Sequence, residues 1–329
     1  MRFLVTGGAG FIGSHIVERL LKEGNFVRVL DNFTSGKEEN LSFALQKGLS
    51  SCRKQDTRRS DKAGGLNFEL IKGDIRDIDT CNRACNGIDY ILHQAALRSV
   101  PKSMSHPHDY NSVNIDGTLN MLEAARENKI KRFVFASSSS LYGDIDKFPE
   151  KETFLPKPIS PYALSKITGE YYCRIFSTHF SLETMCLRYF NVFGPRQALD
   201  DEYAVVIPKF IHCILHNEQP PIFGTGKQSR DFTYIDNVIQ ANILAATAKG
   251  IKHEVFNVAN GKDNTVLQLV DLLNRIIGKN IKPVFLPVRA GDVFRTNADI
   301  SKIKRILGYS SKVNFEEGLR KTVEYFRNG

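Results

Sequence analysis

The chain has 329 residues, 42% apolar and 25% charged, with a formal net charge of +9. Such a chain is ordinary for a globular protein, and it can hold one large α/β domain plus a smaller one. No apolar run approaches the ~20 residues a membrane helix needs, and the apolar start breaks at Gly7 and Gly8 rather than forming a signal peptide, so a cytoplasmic location is expected by default.

Residues 2–6 form a short β-branched and apolar run that reads as a buried strand. Gly7, Gly8, Gly10 and Gly13 follow, and a helical pattern then runs to about residue 23. A strand, a glycine turn and a helix make a phosphate site, because bare backbone can approach the anion and the helix start offers free N–H groups. The spacing is G-x-x-G-x-x-G rather than the more usual G-x-G-x-x-G. Taken alone it also fits a plain tight turn. At the head of an alternating chain, dinucleotide binding is the better reading. Residues 25–31 read as the second strand. Asp31 at its end is placed to accept from the adenosine ribose hydroxyls and to repel a 2′-phosphate, which favours NAD over NADP. The alternative is a turn made by Asp31 and Asn32.

Residues 37–66 form a long connection, with a possible helix over 38–47 and then a polar, basic stretch read as a loop. Arg53, Lys54, Arg58, Arg59 and Lys62 cluster there without an aromatic residue for base stacking. A solvated loop therefore fits better than a nucleic-acid surface, although a basic surface suits a small anionic substrate. Residues 68–72 are the third strand, ending near Asp74, which can approach an adenine amino group. Residues 89–93 are the fourth strand, followed by the small pair Ala95 and Ala96. A long helix is predicted over about 109–128, and a fifth strand over 132–136 runs into Ser137–Tyr142. The six cysteines, Cys52, Cys81, Cys85, Cys173, Cys186 and Cys213, form no C-x-x-C pair, so reduced and mostly buried thiols fit better than a zinc site. Strand and helix alternate throughout, which predicts a Rossmann-type doubly wound parallel sheet with its site at the carboxyl ends of the strands.

Pro161 suits a helix start, and helical spacing continues to Phe180. Tyr162 and Lys166 are four residues apart and share one face of that helix. A tyrosine near its ordinary pKa of about 10 is a poor base at neutral pH. A nearby ammonium, together with a positive nicotinamide, favours the phenolate. A serine from 137–140 can complete the hydrogen bonding to a substrate hydroxyl. Alone, Tyr-x-x-x-Lys also describes a partly buried aromatic beside a solvated lysine.

The stretches TGGAGFIGS, GDIRD, LHQAAL, SSSSLYG, SPYALSK, RYFNVFGPR, IFGTGKQSRDFTYIDNV and RAGDVFRTNADISK span almost the whole chain. Through them the chain resembles the extended short-chain dehydrogenase/reductases. Within these it resembles the UDP-hexose 4-epimerases, above all the UDP-N-acetylglucosamine 4-epimerases of bacterial polysaccharide pathways. The resemblance implies a catalytic triad of Ser138, Tyr162 and Lys166. Tyr162 would take the proton of the sugar 4-hydroxyl while C4 passes a hydride to NAD, and the 4-keto sugar would turn over and receive it on the other face. Lys166 would hold the nicotinamide ribose. Beside the residues already read for NAD, the resemblance adds Phe11, Ile12, Asn32, Ser35, Gly36, Ile75, Gln94, Asn114, Phe190 and Val192. Relatives that dehydrate carry an Asp-Glu pair after the triad serine or threonine, and decarboxylating relatives keep a glutamate two residues after it. Here Ser139 and Ser140 stand there, and neither can act as a carboxylate acid or base.

By the same resemblance Ser99 and Ser139 lie near the sugar, Asn191 on the phosphates, and Val206 and Lys209 at a helix over the uracil. Arg230 and Arg289 would grip the diphosphate with forked donors, and Asp292 the uridine ribose. The implied organisation is an NAD-binding domain of 1–188 plus 233–258 and a discontinuous UDP-sugar domain of 189–232 plus 259–329. Where galactose-restricted epimerases resemble one another in a tyrosine closing the pocket beside C2, this chain has Thr296, which should leave room for an N-acetyl group. The expected reaction is therefore UDP-GlcNAc to UDP-GalNAc, with UDP-Glc and UDP-Gal as slower substrates. Arg98 departs from the smaller residue of N-acetylglucosamine-type relatives. It reads first as a structural cation and second as a partner for a C6 carboxylate, which keeps a UDP-uronate 4-epimerase as the alternative. A reading of another class is a non-catalytic NAD-binding protein, against which the complete triad argues. No metal is expected, and the apolar helices near 109–128 and 161–180 suggest a homodimer.

Overall fold

The computed structural model describes residues 1–45, 67–198, 206–288 and 293–328. Arg289, Asp292, Cys52 and the basic cluster at 53–62 lie outside the described residues.

Seven parallel strands form the central sheet: β1 (Arg2–Thr6), β2 (Phe26–Asp31), β3 (Phe68–Lys72), β4 (Tyr90–His93), β5 (Arg132–Ser138), β6 (Glu183–Tyr189) and β7 (His253–Val258). Their order is β3-β2-β1-β4-β5-β6-β7. The chain winds outward on one side of β1 and then returns to start again at β4. A crevice opens between those two strands, where ligands bind in open α/β sheets. Alternate residues of β1 feed two cores. Phe3 and Val5 pack on one face with Val29, and Leu4 packs on the other with Leu30, Ile91 and Phe133. A sheet covered on both faces explains why the strands read as near-continuous apolar runs.

Crossover helices cover those faces: α1 (Phe11–Lys22), α2 (Ile78–Cys85), α3 (Gly117–Glu127), α4 (Pro161–Phe180) and α5 (Ile235–Thr247). α4 starts where Ser160 Oγ accepts the Ala163 N–H at 3.1 Å with Pro161 in the first turn, and it stops at Ser181 in a left-handed conformation. The helix predicted over 109–128 is longer and less regular: Pro107–Tyr110 is α-helical, Asn111–Asp116 is π-helical, and α3 follows. β5 runs two residues past its expected end and so carries Ser137 and Ser138 to the sheet edge. Beyond the main sheet, three short strand pairs join Val192–Phe193 to Thr233–Tyr234, Ser229–Arg230 to Asn264–Thr265, and Pro221–Phe223 to Val284–Leu286. The five described cysteines are buried, and burial pushes the Cys81 thiol up to about 12. Among the described residues no helix is long and apolar enough to cross a membrane.

Candidate active site

One cleft of about 1370 Å3 runs along the carboxyl ends of β1 to β6. A typical site for one small ligand occupies roughly 300–1000 Å3, so this cleft suits two ligands side by side.

Its floor at one end is the glycine turn. Gly7 has φ +66°, and a Cβ on Gly13 would stand 2.1 Å from the Gly7 carbonyl oxygen. Only hydrogen fits there, and this closeness brings the backbone of Gly10, Phe11, Ile12 and Gly13, the start of α1, into the cleft wall. The first turn of α1 holds no acidic side chain, so its N–H groups are available to an anion. Asp31 is buried at the end of β2. Its Oδ2 accepts from the Ala9 N–H at 2.9 Å and its Oδ1 from the Phe33 N–H at 2.8 Å. Burial raises its pKa and the two N–H groups oppose the rise. The turn at Asp31 is therefore real, and the same carboxylate also ties the glycine loop and borders the cleft. Asp74 is paired with Arg76 Nη2 at 2.8 Å and accepts from Asn32 Nδ2 at 2.9 Å, which holds its carboxyl well below the usual range. Ser35, Ile75, Gln94, Ala95 and Ala96 complete this half of the lining.

At the middle of the cleft, β5 and α4 bring Ser138, Tyr162 and Lys166 together. Tyr162 is half-buried and borders the cleft beside Ser138. Ser138 Oγ is fixed by the Ser140 hydroxyl at 2.9 Å and the Ser140 N–H at 3.2 Å. Ser139 borders the cleft beside it. Buried Lys166 donates to the Ala136 carbonyl at 2.9 Å, and its Nζ lies 5.8 Å from the Tyr162 ring centre. Burial lowers the lysine to about 8. The phenol itself is raised by burial, against the pull of Ser138 and of the Arg98 charge. The Lys166 ammonium, four residues along α4, faces the Tyr162 ring at that 5.8 Å.

Behind the serines lies a buried network that the sequence reading missed. Ser137 Oγ donates to Glu170 Oε1 at 2.5 Å, and Glu170 is paired with Arg188 at 2.7 Å, both nearly inaccessible. Arg188 also donates to the Tyr142 hydroxyl at 2.8 Å. A charge-assisted pair of this kind fixes the end of β5 against α4. Arg196 and Gln197, within the quoted RYFNVFGPR stretch or just past it, also border the cleft, as do Tyr325 and Phe326. The quoted motif was the available signal for Arg196.

On the far wall, Asn191 has φ +35°, and its Nδ2 donates to Thr296 Oγ1 at 2.9 Å and the Asp231 carbonyl at 3.2 Å. Thr296, only 8% exposed, borders the cavity with Asn191, Val192, Arg98 and Arg230. Arg230 donates to the Ser229 and Phe294 carbonyls. Six predicted residues do not line the cleft. Gly36 packs against Ala9 and Asp31. Ser99 caps the helix Val100–Ser105. Asn114 is buried and holds both the N–H and the carbonyl of Leu97. The Phe190 ring is fully buried, 6.1 Å from that of Tyr142, while its neighbours Asn191 and Val192 reach the surface of the cleft. Val206 is half-buried at the start of the helix Val206–Leu215, and Lys209 is exposed on it.

The NAD dependent epimerase/dehydratase family matches residues 3–259. The chain is 36% identical to the UDP-glucose 4-epimerase of Mycolicibacterium smegmatis, over 100% of this chain and 99% of the other. It superimposes with a TM-score of 0.89, at 40% identity, on the UDP-N-acetylglucosamine 4-epimerase of Methanobrevibacter ruminantium in complex with UDP-N-acetylmuramic acid, covering 99% and 98% of the two chains. The UDP-glucuronic acid 4-epimerase of Bacillus cereus, in complex with UDP-glucuronic acid and NAD, matches at 33% identity and a TM-score of 0.87 over 100% and 99%. The glycine cradle, the open helix N-terminus and the serine, tyrosine and lysine beside them fit NAD, and the chain belongs to the NAD-dependent epimerase/dehydratase family.

Proposed function

We propose that this NAD-dependent UDP-sugar 4-epimerase interconverts UDP-N-acetylglucosamine and UDP-N-acetylgalactosamine, with UDP-glucose and UDP-galactose as slower substrates. The observation that carries the substrate choice is Thr296. It is a small side chain on the cavity wall, and its hydroxyl is held back by Asn191. A bulkier ring would take the space an N-acetyl group needs.

NAD, when bound, supplies the reversible oxidation at the sugar C4. The chain's own residues do the rest. Tyr162 accepts the 4-hydroxyl proton and later returns it, and Ser138, which borders the cleft beside it, orients the same oxygen. Lys166 holds the cofactor ribose. Arg230, joined by Arg289, neutralises the diphosphate, and Asp292 accepts from the uridine ribose. The division into an NAD-binding part of 1–188 plus 233–258 and a UDP-sugar part of 189–232 plus 259–329 belongs to this reading. So does a homodimer, supported by the exposed apolar residues Leu164, Tyr171 and Ile175 along α4.

A second reading, UDP-uronate 4-epimerisation, is favoured by one observation: Arg98 borders the same cleft as Tyr162 and can pair with a sugar carboxylate. Steady-state turnover of UDP-GlcNAc, UDP-Glc and UDP-GlcA separates the two. The first reading expects the highest kcat/KM with UDP-GlcNAc, and preference for UDP-GlcA would replace it with the second.

A further inference from the structure

The Thr296 wall of the cleft is joined to the central sheet by a carboxylate that does not itself border the cleft. Asp231 is fully buried, and its backbone holds the wall. Its N–H donates to the Thr296 carbonyl at 2.9 Å, and its carbonyl accepts from Asn191 Nδ2 at 3.2 Å. The side chain collects donors from two further places. Oδ1 accepts the Asn260 N–H at 3.0 Å, and Oδ2 accepts the N–H groups of Gly261 at 3.0 Å and Ala298 at 3.3 Å. Asn260 and Gly261 follow the end of β7, and Ala298 lies just beyond Thr296. Burial raises the carboxyl to about 7, and these three N–H groups oppose the rise. Two side-chain amides run between the same parts. Asn191, just past β6, also gives its Nδ2 to Thr296 Oγ1 at 2.9 Å, and Asn257 in β7 gives its Nδ2 to the Asp299 carbonyl at 3.3 Å. Asp231 is the tie that grips the end of β7 and the far side of the wall at once.

We propose that Asp231 is a positioning residue that sets the choice of sugar, its carboxylate fixing the Thr296 wall against the end of β7 and so the width of the cleft beside the sugar. The proposal rests on the reading of Thr296 as the residue that leaves room for an N-acetyl group. Such a group fills the space in front of Thr296 and senses where the wall stands, whereas a C2 hydroxyl is smaller and senses it less. Asp231 lies behind the lining, so its effect on the sugar passes through the wall. The geometry also explains why the side chain is a carboxylate. An asparagine has one oxygen and one N–H2 group. With its oxygen in the place of Oδ2, the Asn260 N–H faces another donor, and with its oxygen in the place of Oδ1, the N–H groups of Gly261 and Ala298 do. Either way part of the tie is lost. Arg230, next to Asp231 in the chain, borders the cleft and donates to the Ser229 and Phe294 carbonyls. A shift confined to Arg230 would weaken every UDP-sugar alike, and a shift at Thr296 changes the ratio between sugars.

The test compares the parent enzyme, Asp231→Asn and Gly261→Ala, each purified with its NAD, in steady-state turnover of UDP-GlcNAc and UDP-Glc. Gly261→Ala keeps the carboxylate and displaces one of its donors, because φ there is +81° and a Cβ would stand 2.9 Å from Ile300 Cδ1. The proposal expects Asp231→Asn to raise KM for UDP-GlcNAc and to lower the kcat/KM ratio of UDP-GlcNAc to UDP-Glc by about fivefold, the scale of one misplaced hydrogen-bonded contact. Turnover per bound NAD should stay within about twofold of the parent, because the triad is untouched. Gly261→Ala should move the ratio the same way by a smaller factor. A merely structural role would lower the active fraction alone, so that total activity falls with bound NAD while KM and the ratio stay where they were, and that result overturns the proposal. An equal rise in KM for both sugars also overturns it and assigns the segment to the diphosphate through Arg230. A parent without preference for UDP-GlcNAc removes the substrate reading and the proposal with it, an outcome seen in the parent rather than in the variants. Bound-NAD content and thermal melting identify a misfolded protein, and if Asp231→Asn fails to fold, an unmoved ratio in Gly261→Ala overturns the proposal by itself.

Discussion

Replacing Thr296 by tyrosine probes the choice of sugar. The Thr296 backbone is held on both sides: its N–H donates to the Ser229 carbonyl at 3.1 Å, and its carbonyl accepts the Asp231 N–H at 2.9 Å. The segment cannot step back to make room, so a phenol ring introduced there must occupy the cleft. Overpacking of this sort costs about 1–3 kcal/mol, which is about 5- to 150-fold in affinity at room temperature. The loss should fall on the substrate that needs the space. Measured by separating epimers after timed incubation, kcat/KM for UDP-GlcNAc should drop by about that factor, while UDP-Glc changes by less than about threefold. Thr296→Ser keeps the hydroxyl that Asn191 Nδ2 reaches at 2.9 Å and should leave both rates close to those of the parent. Equal losses for the two sugars, or an unchanged rate with UDP-GlcNAc, would refute the steric argument.

Other outcomes follow from the same geometry. Tyr162→Phe should lower kcat by about 10²–10⁴-fold, the usual worth of a general base, while the protein keeps its NAD, measured by absorbance ratio. Gly13→Ala places a methyl 2.1 Å from the Gly7 carbonyl, so it should release NAD and lower the melting temperature, and retention of NAD would count against the cradle. Arg188→Met leaves the Glu170 carboxylate buried without its cation and should cost roughly 3–5 kcal/mol in urea unfolding. Glu150 is buried at the bridge to Ala298 with Oε2 unbonded, and burial pushes it up to about 8. The folded chain therefore holds that proton where the unfolded chain has lost it. The stability this contributes is fully present below about 4.5 and is lost as pH rises through about 8. Glu150→Gln should flatten that decline, with Asp231, raised by burial to about 7, leaving a residual slope of the same sign.

The sequence made legible what is local. The strand, glycine turn and helix at 1–22 lie within two dozen residues, and Tyr162 and Lys166 lie within one helical turn, so spacing alone places their groups. The parallel sheet followed from the alternation of elements, because buried parallel strands show as apolar runs. What spacing does not carry is pairing across the chain. Asn191 and Thr296 are 105 residues apart, and nothing near either indicates that one amide holds the other's hydroxyl. Glu170 reads from its own helix as a solvated charge, yet Arg188 and Ser137 bury it. Nothing near Asn114 in the sequence indicates that its amide holds the backbone of Leu97, 17 residues away. Phe190 sits inside a motif that touches the cleft, yet its own ring is fully buried in the core. The π-helical turn at Asn111–Asp116 leaves no mark in apolar spacing.

The account's central claim is that configuration at the sugar C4 is inverted by oxidation and return at that same carbon, with Tyr162 moving the proton. The measurement that tests it most directly is incubation of the purified protein, without added NAD, with UDP-GlcNAc carrying deuterium at C4, followed by mass and NMR analysis of the epimer formed. The account predicts UDP-GalNAc that keeps its deuterium at C4, formed more slowly than from unlabelled substrate. Epimer that has lost the label to water, or formation of no C4 epimer from any UDP-sugar even with NAD supplied, would contradict it.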